Sequence, residues 1–131
     1  MNGSPSFAAI MLVNNLTPYT LMPASPVGCS PGSFLQQPQP IGPQQPGVWI
    51  GVGDQGVAGV IMAEFFTADV EPVTIVEFNF NDVPGSSNAA SCFHNSPAIV
   101  VTQSAAPETG AVWSVSFTFT VPSNNTVSAS N

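Results

Sequence analysis

The chain has 131 residues, enough to bury one hydrophobic core, so we expect one domain spanning residues 1–131. It contains no lysine or arginine and seven acidic residues, which gives a formal net charge of −7 at pH 7. Because phosphate groups and anionic lipids are bound largely by lysine and arginine, neither nucleic acid nor an anionic membrane is an expected partner. Apolar residues make up 44% of the chain, which argues against an intrinsically disordered polymer.

The first predicted strands lie near the N-terminus. Residues 7–13 form an apolar run, followed by a turn at Asn14 and Asn15 and a second strand over residues 17–22. The run is not preceded by positive charge and is too short to span a membrane, so we expect no clear signal peptide. We expect the protein to be located in an intracellular vesicle or vacuole, or to be secreted.

Residues 23–47 are rich in proline and glutamine. Proline lacks a backbone donor and restricts φ, so this composition disfavours a helix or a central strand. We predict a long surface loop held to the core by a few apolar side chains. The alternative interpretation is a polyproline-type ligand for an aromatic groove in another protein.

The rest of the chain has the apolar–polar alternation of β-strands. Further strands are predicted over residues 48–52, 57–66, 73–80, 98–103 and 111–121, with a turn cluster at residues 81–91. In the last of them, Trp113 and Phe117 share one face with the other apolar residues, and serine and threonine occupy the opposite face. Six to eight short strands between such turns predict an all-β fold, an antiparallel β-sandwich with a long Pro/Gln-rich loop.

Two cysteines and one histidine are the candidate reactive residues. Cys29 and Cys92 could form an internal disulfide, form disulfides between molecules, or remain free thiols. Cys92 and His94 could be a nucleophile and its base, but no third orienting group lies near them in sequence, so we do not expect an enzyme. These residues are too few for a structural zinc site, and we expect no metal and no cofactor.

The ionisable side chains are the expected pH-sensing groups. Carboxylates protonate around pH 4–5, where the negative net charge and the repulsion between copies decrease. The candidate residues are Asp54, Glu64, Asp69, Glu71, Glu77, Asp82, Glu108 and His94.

Several short motifs occur in an order that resembles the aegerolysin and actinoporin-like β-sandwich proteins. The matching residues are Asn15, Thr17, Trp49, Gly59, Pro84, Gly85 and Asn88. The resemblance implies a β-sandwich that recognises lipids and, in some members, forms pores with a partner. Under this interpretation Trp49, Trp113 and Tyr19 are the candidate lipid-binding residues. The composition is also similar to that expected of a crystal-forming fungal vacuolar protein.

Two functions fit these observations. The first is a structural protein whose copies assemble into dense particles or crystals in an acidic compartment, with disulfides as possible links between them. Serine and threonine on the outward strand face lack the charge that keeps sheets apart, which favours this function. The alternative is an aegerolysin-like protein that binds neutral membrane lipids or forms pores.

Overall fold

The computed structural model describes residues 6–122, which form two β-sheets packed face to face. The strands are β1 (Phe7–Asn15), β2 (Thr20–Cys29), β3 (Ser33–Phe34), β4 (Gln45–Gly53), β5 (Val57–Phe66), β6 (Pro72–Asp82), β7 (Ala89–Phe93), β8 (Val100–Gln103) and β9 (Val112–Thr120). The predicted all-β sandwich is confirmed, with nine strands in residues 6–122. No helix in this range is long and apolar enough to cross a membrane.

The two sheets contain five and four strands. The five-stranded sheet has the order β3-β4-β1-β9-β8, and the four-stranded sheet has the order β2-β5-β6-β7. One pairing departs from the predicted antiparallel arrangement, because β1 and β9 run parallel, with Ile10 opposite Ser114. This pairing joins strands from the two ends of the chain, and local alternation carries no information about such a partner.

The Pro/Gln-rich segment is only partly a loop. Strand β2 continues through two prolines to Cys29, with an irregularity between Ala24 and Val27. This is possible because β2 is at the edge of its sheet, where one side of the strand needs no ladder donors. With β3 at Ser33–Phe34 and β4 beginning at Gln45, the loop is shorter than the predicted residues 23–47.

The turn cluster predicted at residues 81–91 is also shorter than expected. Strand β7 begins at Ala89 and pairs with β6, where Cys92 lies opposite Phe78. Its alanines and serine have little strand propensity of their own, so tertiary pairing rather than local preference accounts for it.

The core lies between the two sheets and is dominated by aromatic rings. The Phe78 ring packs edge-on against Trp49 and Phe117, at 5.1 Å between centroids in each case, and against Phe119 at 5.8 Å. The predicted apolar face of β9 is confirmed, because Trp113, Val115, Phe117 and Phe119 are all buried. These rings join the two sheets into one hydrophobic core.

Candidate functional site

The candidate site is the solvent-facing side of the five-stranded sheet, which we call the outer face. Residues Ala9, Met11 and Val13 of β1 point into the core, so the alternate residues of that strand point outward. The strand register then assigns the outer face to Val48, Ile50 and Val52 of β4, Ala8, Ile10, Leu12 and Asn14 of β1, Val112, Ser114, Ser116, Thr118 and Thr120 of β9, and Val100 and Thr102 of β8.

The outer face is uncharged and partly apolar. All five of its strands lie within residues 6–122, and none of their residues is charged. Leu12 is 42% exposed and Val48 is 50% exposed, and they are direct neighbours across the β1–β4 pairing. Serines and threonines of β9 adjoin this apolar area, as the sequence pattern predicted.

The Pro/Gln-rich segment lengthens the outer face along the β4 edge. The backbone N–H of Leu35 donates to the carbonyl of Ile50 at 2.9 Å, and the indole Nε1 of Trp49 donates to the carbonyl of Gln39 at 3.2 Å. These contacts leave a shallow cleft of about 200 Å³. Its lining is Leu35, Gln36, Gln37, Gln39, Val48 and Ile50.

The acidic residues lie away from this face. Asp54, Asp69, Glu71 and Glu108 are exposed in turns and loops, and Glu64, Glu77 and Asp82 belong to the four-stranded sheet. The register places Glu64 and Glu77 on the outward side of that second sheet, opposite Met22 and Met62 respectively. The negative charge of the described residues is therefore distributed asymmetrically between the two sheets.

Asp82 differs from the other acids because its side chain is buried at 1% exposure. Its Oδ2 atom has no hydrogen-bond partner, and neither has the nearby indole Nε1 of Trp113. Burial raises the pKa of the Asp82 carboxyl, and the nearby Trp113 N–H dipole, although it does not meet the geometry of a hydrogen bond, lowers that pKa by a smaller amount. Asp82 adjoins an open cleft of about 240 Å³ that Glu108 also lines.

His94 lies just beyond β7. Its Nδ1 atom is buried without a hydrogen-bond partner, and the side chain lines a cleft of about 250 Å³ together with Glu77 and Phe93. Within residues 6–122, no three histidine, cysteine or acidic side chains come close enough together to hold a metal ion.

The cysteines are on opposite edges of the four-stranded sheet, so the internal disulfide, one of the three alternatives left open by the sequence, does not form in this fold. Cys29 pairs with Gly59 of β5, and Cys92 pairs with Phe78 of β6. Three steps of about 4.8 Å between strands separate them by roughly 14 Å, about twice the Cα separation that a disulfide permits. Both are free.

The cysteine side chains are also poorly suited to chemistry. Both pack against the hydrophobic core. Burial raises the pKa of the Cys92 thiol to about 12, and it raises that of Cys29 as well. Because the thiolate is the reactive species, both residues are weak nucleophiles at neutral pH. This disfavours both the Cys92–His94 pair as a catalytic unit and disulfides between folded molecules.

The three predicted lipid-binding aromatics belong mainly to the core. Trp49 is 2% exposed and Trp113 is 4% exposed, so neither side chain can enter a lipid surface in this fold. Tyr19 is half-buried, with its ring edge-on to Phe65 at 6.4 Å. The two tryptophans, which were predicted to face lipid, are core residues instead.

Comparison with known proteins supports the fold. No family model matches the sequence, and no curated protein matches it either. The fold is similar to that of RahU, an aegerolysin-family protein solved in complex with a TRIS molecule, with a TM-score of 0.69 at 13% sequence identity. The similarity covers 92% of this chain and 98% of RahU. The chain thus has a distantly aegerolysin-like β-sandwich fold.

The sequence pattern did not identify the apolar half of the outer face. The sequence feature that could have indicated this apolar area is the unbroken apolar run of β1. In that run, Ile10 and Leu12 alternate with residues that point into the core. A strand with apolar residues on both faces is covered on both sides or has an exposed apolar face, and only strand order distinguishes these cases. Here β1 is central in its sheet and its second face is open to solvent.

Proposed function

We propose that this aegerolysin-like sandwich is a non-enzymatic structural protein whose copies assemble into dense, ordered particles. The observation that carries the proposal is the uncharged outer face. Sheets commonly carry charged side chains that prevent association with neighbouring molecules, and this sheet has none in its five strands. Its exposed Leu12 and Val48 provide apolar area that assembly would bury.

The polar part of the outer face also suits a repeated contact. Ordering a lysine side chain costs about 1.5–2 kcal/mol of conformational entropy, and short side chains such as Ser114 and Ser116 have far less to lose. A regular lattice forms the same contact many times, so a low entropic cost at each contact favours order over irregular aggregation.

Net charge supplies the control over assembly. With seven acids and no lysine or arginine, copies repel one another at neutral pH. Six of the seven carboxyl groups lie on exposed or half-exposed side chains. Carboxyl groups in general become protonated as the pH falls toward about 4, which reduces the negative charge and the repulsion between copies. We therefore propose an acidic compartment, such as a vacuole or another acidic vesicle, as the place of assembly.

Light scattering on the purified protein tests this proposal. We expect scattering to rise reversibly as the pH is lowered from about pH 8 to about pH 4, and to rise at neutral pH when salt screens the charges. Reductant should leave the curve unchanged, because both thiols are half-buried against the core and their raised pKa values leave little reactive thiolate. Electron microscopy of the acidic sample should show regular particles. A monodisperse monomer at every pH and concentration would rule the proposal out.

The second candidate function is binding to a neutral lipid surface. Its support is the distant likeness of the fold to RahU, together with an outer face whose lack of charge suits uncharged headgroups. Co-sedimentation with zwitterionic and sphingolipid vesicles at neutral pH, where the protein should be monomeric, separates the two functions. Protein that sediments only with vesicles supports lipid binding, and protein that stays in the supernatant with every lipid mixture removes this second candidate.

A further inference from the structure

We infer that the outer face is itself the contact between copies, packed against the outer face of a second molecule with Leu12 and Val48 at its centre. This inference rests on the proposed function and adds to it the surface used and the partner that covers it.

The chain has no lysine or arginine side chain that could neutralise a carboxylate buried between two copies. A buried carboxylate without a partner is strongly unfavourable. Contacts through the other sheet would bring together Glu64 or Glu77 from both molecules. The outer face avoids this cost because it has no carboxylate.

Contact through the outer faces keeps the acidic sheets of the two molecules far apart. Sheets pack about 10 Å apart, so face-to-face packing of two sandwiches places their acidic sheets roughly 30 Å from each other. The screening length at physiological ionic strength is about 8 Å, so repulsion between those sheets is largely removed. Face-to-face packing is therefore the arrangement in which two copies of this acidic chain repel each other least.

The area of the outer face is sufficient for a weak interface between two copies. Strand spacing and rise give the outer face a projected area of roughly 550 Å², so a dimer would bury about 1,100 Å². This is close to the lower limit for specific protein interfaces, which corresponds to a weak and reversible contact. A weak contact matches a particle whose formation responds to modest changes in net charge.

The outer face is apolar at its centre and carries hydroxyl groups at its border. Leu12 lies between Val48 on β4 and Ser116 on β9. An apolar centre with a hydroxyl-bearing border resembles the core and rim of known interfaces. The hydroxyls can donate and accept, so the border can form hydrogen bonds to a second copy in either direction.

Two lysine substitutions with the same change in charge test the inference. Leu12→Lys places a cation in the outer face, and Met22→Lys places one on the outward side of the other sheet, where the native residues are 42% and 38% exposed. Both variants lower the negative net charge by one. General repulsion therefore decreases equally in both, and any difference between them reports the location of the contact.

We expect sedimentation equilibrium at mildly acidic pH to show association of the native chain. Leu12→Lys should raise the dimer dissociation constant by about tenfold or more, because contact buries the new charge. Met22→Lys should associate at least as well as the native chain, because its cation lies opposite Glu64. Val48→Lys is the second outer-face variant, and circular dichroism with thermal unfolding verifies that each variant is folded.

The possible outcomes separate the inference from the proposed function. If Leu12→Lys and Val48→Lys are folded and associate as well as Met22→Lys, the outer face is not the contact, and self-assembly still stands. If the native chain associates under no condition, both ideas fail. Loss of association in the outer-face variants alone supports the inference.

Discussion

The Thr17 hydroxyl donates a hydrogen bond of 2.6 Å to the side-chain oxygen of Asn15, and both residues are fully buried. The Asn15 Nδ2 donates in turn to the carbonyls of Tyr19 at 2.8 Å, Gly42 at 3.0 Å and Ile41 at 3.1 Å. One amide thus joins the β1–β2 corner to the end of the Pro/Gln-rich segment. Both residues, which the sequence analysis singled out as part of a motif, therefore have a structural role in this chain.

Asn15→Ala should strongly destabilise the protein. The substitution removes the donor to three carbonyls and leaves buried polar groups unpaired, so we expect the free energy of unfolding to fall by about 2–4 kcal/mol. Chemical denaturation followed by tryptophan fluorescence measures this change. Asn14→Ala is the matched control, because its half-buried side chain lies on the outer face and should cost less than about 1 kcal/mol. Equal losses would show that the amide network is unimportant.

Phe78→Ala should be among the most damaging core substitutions. Phe78 contacts Trp49, Phe117 and Phe119, so its loss leaves a cavity between the sheets. We expect a loss of about 3–5 kcal/mol in the free energy of unfolding. Phe93→Ala removes an identical ring that is 64% exposed on the same sheet and should change stability by less than about 0.5 kcal/mol. A similar cost for both would mean that the core does not depend on this cluster.

Both cysteines should react slowly in the folded protein. Because burial raises both thiol pKa values, to about 12 for Cys92, little thiolate is present at neutral pH. Iodoacetamide labelling followed by mass spectrometry should modify Cys29 before Cys92, and both rapidly once denaturant is added. A non-reducing gel of the native protein should show monomer alone. A ladder of covalent oligomers would contradict this prediction and restore disulfide-assisted assembly.

Asp82 should make stability depend on pH in a specific direction. Its folded pKa is raised above the unfolded value of about 3.9, so between those two values the folded state binds more protons. Stability from this group is complete below the unfolded pKa and is lost as pH rises through the folded pKa. Asp82→Asn cannot ionise, so its stability relative to the native chain should increase with pH across this window and then level off.

Denaturant titrations at several pH values measure that difference. Glu108→Gln is the control, since it removes the other carboxyl that lines the same cleft but is exposed. Because that substitution removes an exposed carboxyl and leaves Asp82 in place, any pH-dependent difference seen with Asp82→Asn alone is attributable to the buried group. If Asp82→Asn shows a constant difference, the buried carboxyl does not titrate differently in the folded state.

Local pattern was sufficient for most of the strands and for the class of fold, although it did not predict β3 or β7. Strand β5 begins at Val57 and ends at Phe66, as the alternation and the flanking turn predicted, and β9 buries the predicted apolar side. These features depend on the two-residue period of a strand. A half-buried strand needs apolar and polar residues in alternation, so this period is visible in its local sequence. The absence of lysine and arginine likewise restricts the possible partners without any knowledge of the fold.

Strand order was the information that only the folded chain supplied. It places β1 beside β9 in parallel, puts Cys29 and Cys92 on opposite edges of one sheet, and turns Trp49 and Trp113 into the core. It also pairs β5 and β6, the two strands that carry acidic residues, in one sheet and leaves the five strands of the other sheet without charge. Pairing between distant strands depends on how the whole core packs, and a local period is the same whichever strand becomes the neighbour.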